Sequence, residues 1–149
     1  MLKNQKNLKL RVLFNASVVL SGLKSPKGGS GKLLQFVKIG KIDGRISEVI
    51  YDEIIKHHQK LNIAKKRVEK ESLKLFKKLI YRPEEKIVNF YKKRVIDEGD
   101  AHVLATCDQE KIEYLVTLDK KHLLILKGKI KGLNILTPGE LIELLSVWS

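Results

Sequence analysis

Short apolar runs, each ending at a polar turn and separated by stretches of helical periodicity, constrain this chain more than any other feature. LKLRVLF at residues 8–14, YLVTLD at 114–119 and LNIL at 133–136 read as strands. YLVTL is an almost continuous apolar run, the pattern of a parallel strand buried on both faces. Between these runs lie amphipathic segments. Ser47 is an N-cap for a helix over residues 48–59, with Ile50, Ile54 and Ile55 on its inner face. A longer helix is expected over residues 63–80, where Val68, Leu75 and Leu79 share a face joined by Phe76, the other face is mostly lysine, and Pro83 closes the segment. Strands alternating with helices imply an α/β fold with parallel pairing and right-handed crossovers.

The remaining segments fit this scheme. VVLSGL after the Asn15-Ala16-Ser17 turn extends the first strand or begins a helix, since a short apolar run is compatible with both. SPKGGSG, residues 25–31, reads as a loop, with Ser30 capping a helix through KLLQFVKIG. Residues 41–46, with Asp43-Gly44, read as a turn into a short strand. Residues 86–91 are expected as a further strand centred on Ile87 and Val88. Asp97-Glu98-Gly99-Asp100 opens a helix through Cys107, HLLILKG is a short helix, and Thr137-Pro138 starts the last one. There is no internal repeat, low-complexity tract or domain linker, so residues 8–149 are expected as one domain behind a short basic tail, residues 1–7.

The 149 residues are enough for a core without disulfides. Cys107 is the lone cysteine, which excludes an intrachain disulfide and fits a cytoplasmic setting. No apolar run approaches the roughly 20 residues of a membrane span, and no secretory signal is read. Charge is the strongest compositional signal: 30 Lys and Arg against 17 Asp and Glu leave +13. The excess concentrates in residues 56–78, which include Lys65, Lys66, Arg67 and Lys70, and in residues 1–11. Clustered cations suit a polyanion because each phosphate neutralised releases counterions, so nucleic acid is the expected partner.

Against this basic background a few acids stand at particular places. Ligands of open parallel sheets bind beyond the carboxyl ends of the strands. Asn15 ends the first strand, Asp119 ends the YLVTL strand, Asp97 and Asp100 open a helix, and Glu53 lies on the helix after Ser47. Carboxylates held together repel one another and raise a pKa unless a cation is present. Mg²⁺ or Mn²⁺ relieves that repulsion, takes oxygen ligands, and can activate water against a phosphodiester. Each acid also has a plainer role. Asp97 caps its helix, Asp100 complements the helix dipole, Asp119 closes an Asx-turn, and Glu53 pairs with Lys56.

The order and spacing of these motifs resemble the PIN-domain nucleases. RVLFNASVVLSGL is similar to the first strand and turn of that family, with Asn15 where an Asp normally stands and Ala16 where a small hydroxylic residue is common. ISEVIYDEI places its Glu at Glu53; DEGDAHVLATC places the central Asp at Asp100 with Asp97 beside it; YLVTLDKKHLL supplies Asp119; ILTPGELIELL resembles a common family ending. The resemblance implies a three-layer, Rossmann-like α/β fold with a central parallel sheet flanked by helices. It implies Mg²⁺ or Mn²⁺ held by Asn15, Asp97, Asp100 and Asp119, and hydrolysis of RNA with Glu53, Asp100 and Asp119 as catalytic residues. Homodimers, and antitoxin or RNA-processing partners, are frequent in the family. Asn15 departs from the pattern: an amide oxygen can ligate a cation but carries no net charge. The expected function is therefore a weakened metal-dependent endoribonuclease, with a catalytically weak or inactive RNA-binding or regulatory protein as the alternative.

Other signals are weaker. GGSGK lacks the first glycine of a phosphate loop, which falls on Pro26, and has Leu33 where Ser or Thr is needed. His57 and His58 point about 100° apart on a helix and cannot chelate together; both read as solvated. His102 and His122 read as packing residues near the acids, Cys107 as a core residue, and Tyr51, Tyr81, Phe90 and Tyr91 as too scattered for a base-stacking platform.

Overall fold

A computed structural model describes residues 9–148. The basic tail at residues 1–7, Leu8 and Ser149 lie outside the described residues. Four strands form one sheet: β1 (Arg11–Phe14), β2 (Asp43–Arg45), β3 (Tyr114–Val116) and β4 (Asn134–Leu136). Their order is β2-β1-β3-β4, and every pairing is parallel. Val12, Leu13 and Phe14 are all fully buried, as are Leu115 and Val116. Successive strand residues face opposite sides, so both faces of the sheet are covered, which is the three-layer α/β arrangement expected.

Seven α-helices are described: α1 (Ala16–Lys24), α2 (Gly29–Lys38), α3 (Glu48–Lys56), α4 (Lys65–Leu75), α5 (Glu85–Lys92), α6 (Glu98–Glu110) and α7 (Pro138–Trp148). None is long and apolar enough to cross a membrane. Helix α1 settles the open reading of VVLSGL. It begins one residue after β1, because Asn15 takes an extended conformation and its side chain accepts from the Ser17 amide as a cap. Ser47 accepts from the Ile50 amide at 3.1 Å and caps α3 as expected. Thr137 and Glu140 cap each other across the start of α7, with bonds of 2.9 and 3.1 Å.

Four expectations are corrected. Residues 86–91 belong to α5 and form no strand. Val88 and Tyr91 are buried while Lys86, Asn89 and Phe90 are exposed, and that spacing of three is helical. The helix of residues 63–80 is shorter, ending at Leu75. Beyond it, Phe76 packs edge-on against Phe14 of β1, and Ile80 pairs with Ser47 beside the sheet. The Ile80 amide donates to the Ile46 carbonyl at 3.0 Å and the Glu48 amide to Ile80 at 2.9 Å. Burying Phe76 and satisfying these backbone groups outweighs the last helical turn. Ser30 is no cap: Gly28 is, and Ser30 is buried inside α2. A Cβ at Gly31 would lie 2.2 Å from the Pro26 carbonyl oxygen, so these glycines let α2 start close against the preceding turn. HLLILKG forms only a turn with a short 3-10 segment, Leu124–Leu126.

Candidate metal centre at the carboxyl edge of the sheet

After β1 the chain crosses to β2 on one side, while β3 lies on the other side of β1. The carboxyl ends of β1 and β3 therefore flank a topological switch point, where open α/β sheets form their crevice. A cleft of about 320 Å³ opens there, lined by Asn15, Glu53, Asp97, Asp100 and Asp119 among others. All five residues expected at a site are thus brought to one place. Lys65, Lys66, Arg67 and Lys70 lie elsewhere, exposed on α4.

Local hydrogen bonds position the polar groups. The Asn15 amide nitrogen of the backbone donates to the Val116 carbonyl at 3.0 Å, which ties the end of β1 to the end of β3. Asn15 Nδ2 donates to Thr117 Oγ1 at 3.0 Å, and the backbone amide of Asp119 donates to the same hydroxyl oxygen at 3.1 Å. Thr117 is fully buried, so one hydroxyl holds both cleft residues in register. Ser17 Oγ accepts from the Leu118 amide at 3.2 Å and fixes the same loop from α1. Asp119 closes the expected turn: its Oδ1 accepts from the Lys121 and His122 amides, and its Oδ2 lies 3.2 Å from His122 Nδ1. Asp97 caps α6 through the Gly99 amide at 2.7 Å.

Asp100 is different. It is buried in the first turn of α6, and its Oδ2 is buried without a hydrogen-bond partner among the described residues. Burial, then the charges of Asp119 and Asp97, push its pKa up to about 6, and Glu53 adds to the rise while His122 opposes it. Oxygens of Asp100 and Asp119 and a ring nitrogen of His122 lie within 4.8 Å of one another. An orphaned buried carboxylate oxygen beside a second carboxylate fits a cation, which would satisfy the lone pairs and relieve the repulsion. The oxygen-rich donor set suits a hard divalent ion.

Two histidines were underrated by sequence reasoning. His122 faces Asp119, and the three-residue spacing was the available signal. His57 is no fully solvated helix residue: it lines the cleft, with Nε2 3.6 Å from Glu53 Oε1. Its neighbour His58 turns away to the Ile63 carbonyl, so the pair diverges as expected. His102 stands apart from the acids; burial, then Arg82, lowers its pKa, and its Nδ1 has no partner among the described residues. Cys107 is a core residue, its thiol pushed up to about 12 by burial.

A family model described as the PIN domain matches residues 11–121, which contain every residue of this cleft. This chain belongs to the PIN-domain family. PIN domains generally use divalent metal ions and typically bind RNA, and the acidic cluster at the switch point of this PIN domain fits that habit. No curated protein matches the chain. Among solved structures, the crystal structure of PAE2754 from Pyrobaculum aerophilum is similar, with a TM-score of 0.63 and 18% identity over 93% of this chain and 90% of that one. At that identity the likeness speaks for the fold alone.

Proposed function

We propose that this PIN domain is a divalent-metal-dependent endoribonuclease whose hydrolysis is weakened by the neutral Asn15. The observation that carries the reading is the buried, unpartnered Oδ2 of Asp100 beside Asp119. Asp100 and Asp119 would hold Mg²⁺ or Mn²⁺, with Asn15 and Asp97 completing the oxygen donors around the cleft. A bound ion of this kind supplies activation of water and neutralisation of charge on the phosphoryl oxygens. Glu53, half exposed at the mouth and next to His57, is the residue placed to orient or deprotonate the attacking water. Asp119 is preset by two backbone amides, with His122 Nδ1 3.2 Å from its Oδ2, and reorganises little when charge develops.

The test is cleavage of single-stranded RNA with Mg²⁺ or Mn²⁺ and with EDTA. Cleavage that requires the ion and disappears in Asp100→Asn and Asp119→Asn supports the reading; cleavage unchanged by EDTA overturns it. A second reading, an RNA-binding protein with little turnover, is favoured by the use to which Asn15 is put. Its Oδ1 caps α1 and its Nδ2 supports Thr117, both structural tasks. Ion binding and RNA binding without cleavage, with cleavage appearing in Asn15→Asp, would select it. A homodimer or a partner protein, and a cytoplasmic setting, belong to the same proposal; native mass measurement tests the first of these.

A further inference from the structure

A second concentration of charge lies along β2 and before the amino ends of the strands. A cleft of about 690 Å³ is lined by Lys9, Lys38, Lys74, Lys77 and Lys78, drawn from three separate stretches: the segment before β1, the end of α2, and the end of α4 with the loop that follows it. Lys9 reaches over the turn before β2: a Cβ at Gly40 would lie 3.2 Å from its ammonium nitrogen. The one acid lining this cleft, Asp43, is already bound in a two-pronged pair by Arg45, at 2.7 and 3.0 Å. It neutralises that arginine and leaves the five lysines uncompensated.

A concave surface lined by one sign of charge focuses the field and concentrates the opposite charge. Lysine is depleted from the cores of protein–protein interfaces, so five of them in one cleft argue against a protein partner. No aromatic ring lines the cleft, so contacts there go to a charged backbone and carry no base-stacking readout. The basic run that the sequence places over residues 56–78 is thereby divided. Arg67 on the first half of α4 pairs with Glu71, and Lys65 shares a hollow with Asp52 and Glu69. The lysines at the end of α4 and in the loop beyond it differ in converging with Lys9 and Lys38 on one cleft, without an ion pair among the described residues.

Gly40 and Lys9 precede β2 and β1, whereas Asn15 and Asp119 follow β1 and β3. With four residues in β1, Lys9 lies at least about 13 Å from Asn15 at roughly 3.3 Å per residue, while Asp43, Gly44 and Arg45 carry the lysine cleft along the outer side of β2. We propose that the lysine cleft is an exosite that holds the phosphodiester backbone of single-stranded RNA away from the acidic centre. The binding stands on the cleft itself; only its consequence for turnover rests on the nuclease reading.

The experiment follows the anisotropy of a fluorescein-labelled single-stranded RNA against salt, in EDTA so that nothing is cleaved. It compares the wild type with Lys38→Gln/Lys74→Gln/Lys78→Gln and with the equally neutralised Lys93→Gln/Lys129→Gln/Lys131→Gln. Single strands give about 0.7 in the slope of log affinity against log salt per phosphate neutralised. The cleft variant is expected to lose about 2 from the slope, the control variant to keep it, and Lys→Arg at the three cleft positions to restore it. Equal slopes in all variants, or equal losses in both triple variants, overturn the exosite. So does polyglutamate displacing the RNA at an equal concentration of charge, which would assign the cleft to an acidic protein. Because the assay needs no turnover, failure of the nuclease reading leaves its outcome unaffected. If cleavage is also observed, the cleft variant is expected to raise KM for a long strand and leave a dinucleotide unchanged.

Discussion

Two clefts beside one sheet use charge in opposite ways. At the carboxyl edge a few acids are fixed by hydrogen bonds, one of them deep enough that its pKa climbs to about 6. Along β2 and before the amino ends of the strands five exposed lysines point into a wider space, and none of them is held by an ion pair among the described residues. The first arrangement depends on where each atom stands, so under the proposed reading a single lost oxygen costs much of the ion binding. The second depends on how many charges are present, so each lysine contributes little and any cation can replace another. Preorganisation is what a centre for chemistry would need and a surface for capture would not.

The sharpest way to break this contrast is at Asp100. Asp100→Asn keeps the shape and deletes the charge, and is expected to weaken Mn²⁺ binding by more than about 100-fold, beyond the loss typical of the partners that merely orient metal ligands. Titration calorimetry measures it; a loss of only a few-fold would place the ion elsewhere. Asn15→Asp should act in the other direction and tighten Mn²⁺ binding by about tenfold, the lower end of what a contact to a charged group contributes. The Thr117 hydroxyl, which now accepts from Nδ2, would turn to donate to the new carboxylate. Unchanged affinity would show that residue 15 does not reach the ion.

The pH dependence of the metal-free protein sharpens the same point. Asp100 has a folded pKa of about 6 against an ordinary 3.8, so between those values the folded state holds a proton that the unfolded state has released. Its contribution is full below about pH 4 and is lost as pH rises through about 6. Thermal midpoints in EDTA should therefore fall across that window, and Asp100→Asn should flatten the fall. Above pH 6, adding Mn²⁺ should reverse the loss in the wild type alone. A wild-type profile identical to that of Asp100→Asn would remove the buried carboxylate from the account.

Smaller effects are expected where a single hydrogen bond is at stake. Tyr91→Phe deletes the 2.9 Å bond from the Tyr91 hydroxyl to Asp108, which joins α5 to α6. A loss of about 1 kcal/mol in urea unfolding is expected, with no effect on either cleft. Changes in ion or RNA binding in this variant would mean that the two clefts are coupled through the helices. The mildest change is Lys→Arg within the lysine cleft, which should leave the salt slope intact if charge number is all that matters there.

Much of the fold was legible because local rules and tertiary demands agree. Ser47, Asp97 and Thr137 cap helices where their spacing said they would, and the YLVTL strand is buried on both faces. Legibility failed where the local signal was symmetric or overruled. Ile87-Val88 is β-branched and short, and only the burial of Tyr91 three residues beyond Val88 shows the segment to be helical. Residues 76–80 carry helical periodicity, yet Phe76 is worth more against Phe14 than inside another turn. At the candidate site the acids could be named from their places after strands and at a helix start. His57 and His122 could not be ranked, since nothing in a linear spacing says which way a ring turns.

Sequence by itself determined the kinds of group available and the ends of the elements that carry them. Periodicity and capping are local, and they put Asn15, Asp119 and Asp100 at the mouths of strands and the start of a helix. Only the tertiary structure decided that Asp100 is buried with an unsatisfied oxygen while Asp97, three residues earlier, is exposed. It alone drew Lys9 and Lys38 to the lysines at the end of α4 and divided these from Arg67 and its partner Glu71. Burial and long-range charge depend on which distant segments pack together, and that is a property of the strand order β2-β1-β3-β4 rather than of any single stretch of chain.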